Sequence, residues 1–439
     1  MRVILALTAV FFVLGMLQKA PCWNEDWSNG EERYAKMCYS DMPYLYTGRG
    51  FAELNWPYSD DEQVRERYER VMEYPVGISY FAWGAAWVTH AVHGFPDTVA
   101  RGMMSVDDLF RDPDVIEERT DYVAISALLL AFATLLAAWF LAGTHRRRPW
   151  DAALFAVSPV LVVNGLINWD LLAVTMVAGA LWAWSRDKPV LTGVMIGLGT
   201  ATKLYPLFLL GGILVICWRR REWWKFASVT VVAALVWLVT NAPAMVSGWD
   251  EWKVFWTFNS ERGADLGSLW LVLNQAGASF TPDQINMASW IFFAGWCLMV
   301  LVLGLAAPEN PRLAQLGFLI VAGFLLVNKV YSPQYVLWLL PLAVLARPRW
   351  RDQLIWQAGE LLYFASVWWY LGGFLAPGSG DDAGFYWIAI IVRILCELYL
   401  ITVVVRDILW PHHDVVRRTE PPEPEPRAGG TRRPEFSGV

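Results

Sequence analysis

An all-α polytopic membrane protein is the fold class this sequence predicts, on three observations. Of its 439 residues 56% are hydrophobic and only 17% charged, and its mean hydropathy is +0.35, too apolar for a soluble protein of this size. Apolar runs recur along the chain, many of them reaching the roughly 18 to 20 residues that carry a helix across ~30 Å of hydrocarbon. The period-two alternation of a membrane β-barrel is absent. We expect about 11–13 transmembrane helices and a long first extracytoplasmic loop.

Arg2 and the run VILALTAVFFVLGMLQ at 3–18 look like a signal peptide, but no A-x-A site follows and more spans do, so a retained first helix is expected. A polar loop over 19–75 comes next. Further helices are expected at 76–94, 122–144, 150–166, 168–185, 189–217, 225–247, 286–306, 312–329, 332–347, 353–375 and 384–405. The division that follows is 1–247, a membrane module that includes the 19–75 loop; 248–285, an external loop; 286–405, the C-terminal helices; and 406–439, a Pro- and charge-rich tail expected to be disordered in the cytoplasm. The 27 tryptophans gather where apolar runs meet polar loops, at Trp23, Trp27, Trp56, Trp218, Trp223, Trp224, Trp249 and Trp252, as aromatic-belt residues do.

Basic loops set the orientation: HRRRPW at 145–150, RRREWWK at 219–225, ARPRWRD at 346–352 and the arginines after the last helix belong in the cytoplasm. The first loop, 248–285, the loop near 328–335 and 376–383 then lie outside. Single crossings by every helix cannot place both 145–150 and 219–225 inside. Some helices between 76 and 217 are therefore half-spans or broken, with NGLINWD at 164–170 and Pro206 as candidate break points.

A net charge of −6 and the lack of a basic cluster in a soluble context exclude a nucleic-acid partner. No internal repeat is present, which weighs against transporters built from paired halves. Cys217, Cys297 and Cys396 lie in apolar runs and read as core thiols. Cys22 and Cys38 flank a polar stretch and are either free or joined in a disulfide that closes the loop. The cysteine spacing fits no zinc pattern, and the Asp60–Asp61–Glu62 run reads first as an exposed acidic patch and second as a cation site.

An ionisable group inside a bilayer is costly unless it pairs or faces a wet cavity. Arg393 and Glu397, one turn apart, pair within their helix. Asp170, Lys203 and Lys329 have no opposite charge nearby in sequence and must meet partners across helices or face a polar site. Of the many acids in the first loop most read as solvated surface. Asp41 stands apart, because Tyr39, Pro43, Tyr44 and Tyr46 enclose it, and a carboxylate tuned by such burial suits general-base work on a hydroxyl.

The stretch DMPYLYTGRG at 41–50, the PY and YP that follow it, GLGTATKLYPLFLL at 197–210 and NKVYSPQYVLWLLPL at 328–342 together resemble the GT-C membrane glycosyltransferases, most closely the actinobacterial polyprenyl-phosphate-mannose-dependent mannosyltransferases. The resemblance runs to about residue 405 and rests on the order of the pieces. It implies a GT-C-like fold in a bacterial plasma membrane and an inverting transfer of a sugar, mannose first, from a polyprenyl-phosphate donor to an extracytoplasmic glycolipid or glycan in cell-envelope biosynthesis. On this resemblance Asp41 is the general base, with Glu25 or Asp26 as the runner-up, and Lys203, Lys329 and Arg262 bind the donor phosphate. Tyr44, Tyr46, Arg49, Tyr74, Asp170, Tyr205, Gln334 and Tyr335 are then pocket residues. Some relatives pair a histidine near the SP element with the aspartate; here Gln334 and Tyr335 follow Ser332–Pro333, which departs from that pattern. No cofactor is implied, and a divalent metal is allowed but not required, since the donor is a monophosphate. The competing expectations are an arabinofuranosyltransferase of the same fold and a transporter or flippase for a lipid-linked substrate.

Overall fold

Long helices running between two polar ends organise the chain in a computed structural model, which describes residues 1–23, 31–68, 70–375 and 383–419. The described residues are helices and connections without a strand. Among the described residues five helices are long and apolar enough to cross a membrane: Arg2–Cys22, Pro113–Thr144, Trp223–Ser247, Pro282–Ala306 and Gly384–Leu409. Shorter apolar helices, Leu171–Trp184, Pro189–Thr202, Leu313–Val327 and Pro333–Ala346, pack among them. The protein is thus an all-α, multi-pass membrane protein.

One end of the bundle collects the basic loops. Arg148 donates to the carbonyl of Val415, Arg219 to those of Gly304 and Ala307, and Arg312 to those of Leu345 and Ala346. Those of Gly304, Ala307, Leu345 and Ala346 lie at helix C-termini, where a cation satisfies both the free acceptors and the dipole. Asp414 joins them, taking Arg312 at 3.0 Å. The last helix therefore runs past 405 to Leu409, and residues 411–419 fold back onto the body instead of trailing away. Residues 420–439, the remainder of the expected tail, lie outside the described residues.

The two anticipated breaks are where the chain turns at the other end. The helix Pro159–Asn164 stops before Gly165 and the next begins at Leu171; Pro189–Thr202 stops at Lys203, and after a 3₁₀ turn at Tyr205–Phe208 the helix Leu209–Arg220 returns. So 189–217, expected as one span, is two passages hinged at Lys203. In compensation, 76–94 is no crossing. The helix Val76–Val92 starts against Thr202 and ends with the His90 ring donating to the carbonyl of Phe51 at 3.1 Å, both on the side of the first loop. Its packing partner explains this placement: Pro113–Thr144 has 32 residues, about 48 Å at 1.5 Å per residue, and outreaches the bilayer. The excess length, starting nine residues before the expected 122, forms a shelf for the first loop. There Glu118 takes both guanidinium nitrogens of Arg101 (2.6 and 2.7 Å) and the Tyr46 hydroxyl (2.8 Å). With these two changes the number of passages is preserved and the basic loops share one side.

Candidate active site

Ser40 caps the helix Asp41–Gly48, its hydroxyl accepting from the Met42 N–H at 3.3 Å. The Asp41 N–H is donated away, to the carbonyl of Ile167 at 2.7 Å. That carbonyl is free because the chain is broken at Gly165–Asp170, so the break moors the first loop to the membrane body. Cys22 and Cys38 are joined, with Cα atoms 5.6 Å apart. The buried Lys19 ammonium donates to the Tyr39 carbonyl at 3.0 Å. The segment before Asp41 is thereby fixed at both its ends.

The Asp41 carboxylate is half-buried and accepts from two phenols, Tyr74 at 2.5 Å and Tyr39. Burial pushes its pKa up to about 6; the two phenols and Lys203 oppose the rise, and the Glu73 carboxylate adds to it. The Tyr39 and Tyr74 hydroxyls are held well above their ordinary range, by burial first and then by Asp41. They remain donors. The result is a carboxylate poised near neutrality, with its proton acceptance intact.

Asp41 lines a cavity of ≈ 640 Å³ that also bears Lys203, Arg262 and Lys329. Lys203 ends its helix in extended conformation, pairs with Asp170 at 2.9 Å and lies 4.7 Å from the centre of the Tyr74 ring. Asp170 also accepts from Trp338 at 2.8 Å, so it stands behind Lys203 instead of lining the cavity. The partner across helices that each charge required is the other one. Trp338 in turn stacks between Tyr205 and Tyr335, at 4.7 and 4.0 Å.

Arg262 and Lys329 come from different loops, 262–268 and 328–332, which are sewn together by two backbone bonds: Asp265 N–H to the Lys329 carbonyl (2.8 Å) and Tyr331 N–H to the Leu266 carbonyl (2.6 Å). Arg262 pairs with Asp265 at 2.5 Å, and Lys329 donates to Asn286 at 2.7 Å. Lys329 has no carboxylate within ion-pair distance among the described residues. Burial, then the neighbouring Arg262, lower the pKa of its ammonium. The Asp283 carboxylate opposes that fall. Beneath the two loops, Arg393 lies 3.5 Å from the centre of the Tyr331 ring and pairs with Glu397 at 3.1 Å, while Glu360 accepts from the Tyr331 hydroxyl at 3.0 Å. Gly267, at φ +66°, is required here: a Cβ would run into the Tyr363 hydroxyl and the Tyr331 carbonyl.

Of the expected pocket residues, Tyr74, Tyr205, Gln334 and Tyr335 line the cavity. Arg49 stands one layer out, bonded to Glu73 at 3.3 Å and to the carbonyl of Arg70 at 2.7 Å. Two lie elsewhere: Tyr44 packs on Phe110, and the buried Tyr46 serves Glu118. Glu25 and Asp26 fall outside the described residues. Sequence reading passed over Glu73, Tyr34, Tyr39 as a ligand, Trp338 and Trp368, all of which line the cavity. Glu73 carried a signal after all, since it immediately precedes the YP that leads into the second helix. The described residues hold no cluster of three or more His, Cys, Asp or Glu side chains suited to a metal.

Residues 115–328 match the model of glycosyltransferase family 87. That stretch contains Asp170, Lys203 and Arg262 but not Asp41. No curated protein matches the chain in sequence. Among solved structures, ArnT from Cupriavidus metallidurans bound to undecaprenyl phosphate is similar over 94% of this chain and 73% of its own, at 16% identity and a TM-score of 0.46.

Proposed function

We propose that this chain, whose residues 115–328 match the glycosyltransferase family 87 model, is a membrane glycosyltransferase of the GT-C kind that transfers a sugar from a polyprenyl-phosphate donor to an acceptor hydroxyl with inversion. The observation that carries this reading is one cavity in which the half-buried Asp41 faces Lys203, Arg262 and Lys329. Asp41 takes the proton of the acceptor hydroxyl as its oxygen attacks the anomeric carbon. The bond from that carbon to the phosphate oxygen breaks, and polyprenyl phosphate leaves with the electron pair. Charge grows on the leaving phosphate, where the Arg262–Lys329 pair and Lys203 meet it without having to reorganise. Mannose is the sugar we favour, a glycolipid or glycan the acceptor, and no cofactor enters the scheme.

The basic end of the bundle is taken as cytoplasmic by the positive-inside rule, which puts Asp41 on the outer face of a bacterial plasma membrane. The exposed Trp290, with Phe293 and Phe324 behind it, gives the polyprenyl chain an apolar way in from the bilayer. The test is incubation of the purified protein with radiolabelled polyprenyl-phosphate mannose, then arabinose. Asp41→Asn should lower turnover by ~10²–10⁴-fold in correctly inserted protein; near wild-type turnover would overturn the reading.

A further inference from the structure

We infer that the wall formed by Tyr34, Tyr39 and Trp368 is the acceptor subsite, and that the acceptor presents a saccharide ring to it. This rests on Asp41 being the base. Two phenols bracket the Asp41 carboxylate, and they lead to unlike walls. Behind Tyr74 stands Lys203, 4.7 Å from the centre of its ring, and beyond it the other phosphate cations. Behind Tyr39 stands Trp368, with ring centres 5.1 Å apart, and Tyr34, which stacks on Tyr39 at 5.8 Å and on Trp368 at 6.1 Å. An inverting displacement brings nucleophile and leaving group to opposite faces of one carbon. If the phosphate sits among the cations, the hydroxyl comes from the side of Tyr39.

The chemistry of that wall narrows what it binds. Among the described residues no lysine or arginine lines the cavity apart from Lys203, Arg262 and Lys329; the Lys19 ammonium near Trp368 is engaged by the carbonyls of Met37 and Tyr39. Arg33 stands beside the wall, 5.5 Å from the centre of the Tyr34 ring, but does not line the cavity. The wall offers aromatic surface and holds the indole N–H of Trp368, which is buried without a partner among the described residues and meets a ligand hydroxyl once the ring shifts. Ring faces accept the C–H side of a sugar, while unmet donors take its hydroxyls, and a buried donor left unpaired discriminates against ligands that lack them. An aliphatic alcohol would supply neither match.

The test uses octyl α-mannoside and octyl α-glucoside as acceptor probes, against octanol and a serine-containing peptide, with the full-length protein in detergent. Tyr34→Leu should raise the KM of the glycosides about 3–10-fold and leave the KM of the polyprenyl-phosphate donor unchanged. Trp368→Phe, which keeps a ring and removes the N–H, should narrow the preference for glycosides over octanol. Binding of labelled octyl mannoside to Asp41→Asn protein, with and without Tyr34→Leu, reads the subsite without turnover. Equal use of octanol or peptide, a donor KM that moves in place of the acceptor KM, or unaltered glycoside binding in Tyr34→Leu would overturn the assignment. The base reading is judged separately: it fails if Asp41→Asn keeps its turnover, whatever Tyr34→Leu does.

Discussion

With Asp41 as the proposed base, the reaction is coupled to pH. The Asp41 pKa is pushed up to about 6 by burial, and only the deprotonated form takes a proton. So kcat/KM should be half-maximal near pH 6, level off about one unit above it and approach a tenfold fall per unit from about one unit below it. Glu73 contributes to the rise, hence Glu73→Gln should move this acid limb to lower pH; pH–rate profiles of the two proteins check both statements. Lys203 needs more care, because its ion pair with Asp170 is buried. Lys203→Met strands a buried carboxylate at a cost of about 3–5 kcal/mol, and thermal unfolding should report it. The double variant Lys203→Met/Asp170→Asn should recover stability but not donor affinity, which separates folding from binding. Asp41 was legible in the sequence because aromatic residues surround it. Tyr44 and Tyr46 were drawn into the pocket by the same neighbourhood, yet Tyr46, five residues on, is turned about 140° from Asp41 on their shared helix, and Tyr44, on Asp41's own side, packs on Phe110 instead. Glu73 was obscured by the many solvated acids of its loop.

At the scale of elements, ends and breaks do the positioning. The Cys22–Cys38 link spans a sequence separation of 16, for which chain entropy gives about 3 kcal/mol. Cys22→Ser/Cys38→Ser should lower the Tm accordingly and loosen the segment that leads into Asp41. A melting curve with and without reductant measures it. The sewn loops carrying Arg262 and Lys329 depend on Gly267. Gly267→Ala should weaken donor binding more than acceptor binding, as the ratio of the two KM values would show. Neither dependence was visible beforehand. Hydropathy located almost every helix, because burial in lipid and burial in protein select the same residues. It misjudged Val76–Val92 for that reason: an apolar helix packed on a protein shelf and one in a membrane have the same composition. NGLINWD and Pro206 announced the two turns, since polar groups and a missing N–H cannot continue a lipid-facing helix.

For the molecule as a whole, the folded C-terminal segment and the converging basic loops mark one end, and the cavity marks the other. Trp290 is 62% exposed and lines the cavity. Placing a charge at this rim, as in Trp290→Asp, should raise the KM for long-chain polyprenyl donors and spare short, water-soluble prenyl-phosphate sugars; a uniform loss with both would rule out entry there. The overall plan was readable from composition and from the placement of arginines. The joining of loops 100 residues and more apart in sequence into one cavity was not, because it is tertiary packing that brings Asp41, Lys203 and Lys329 together.

The cavity has a greasy rim at Trp290 and a second, half-exposed rim at Tyr34. Two substrates from different phases then need not queue through one door. Initial-rate plots with both varied should give intersecting lines, the sign of a ternary complex, and neither substrate should inhibit by occupying the other's berth.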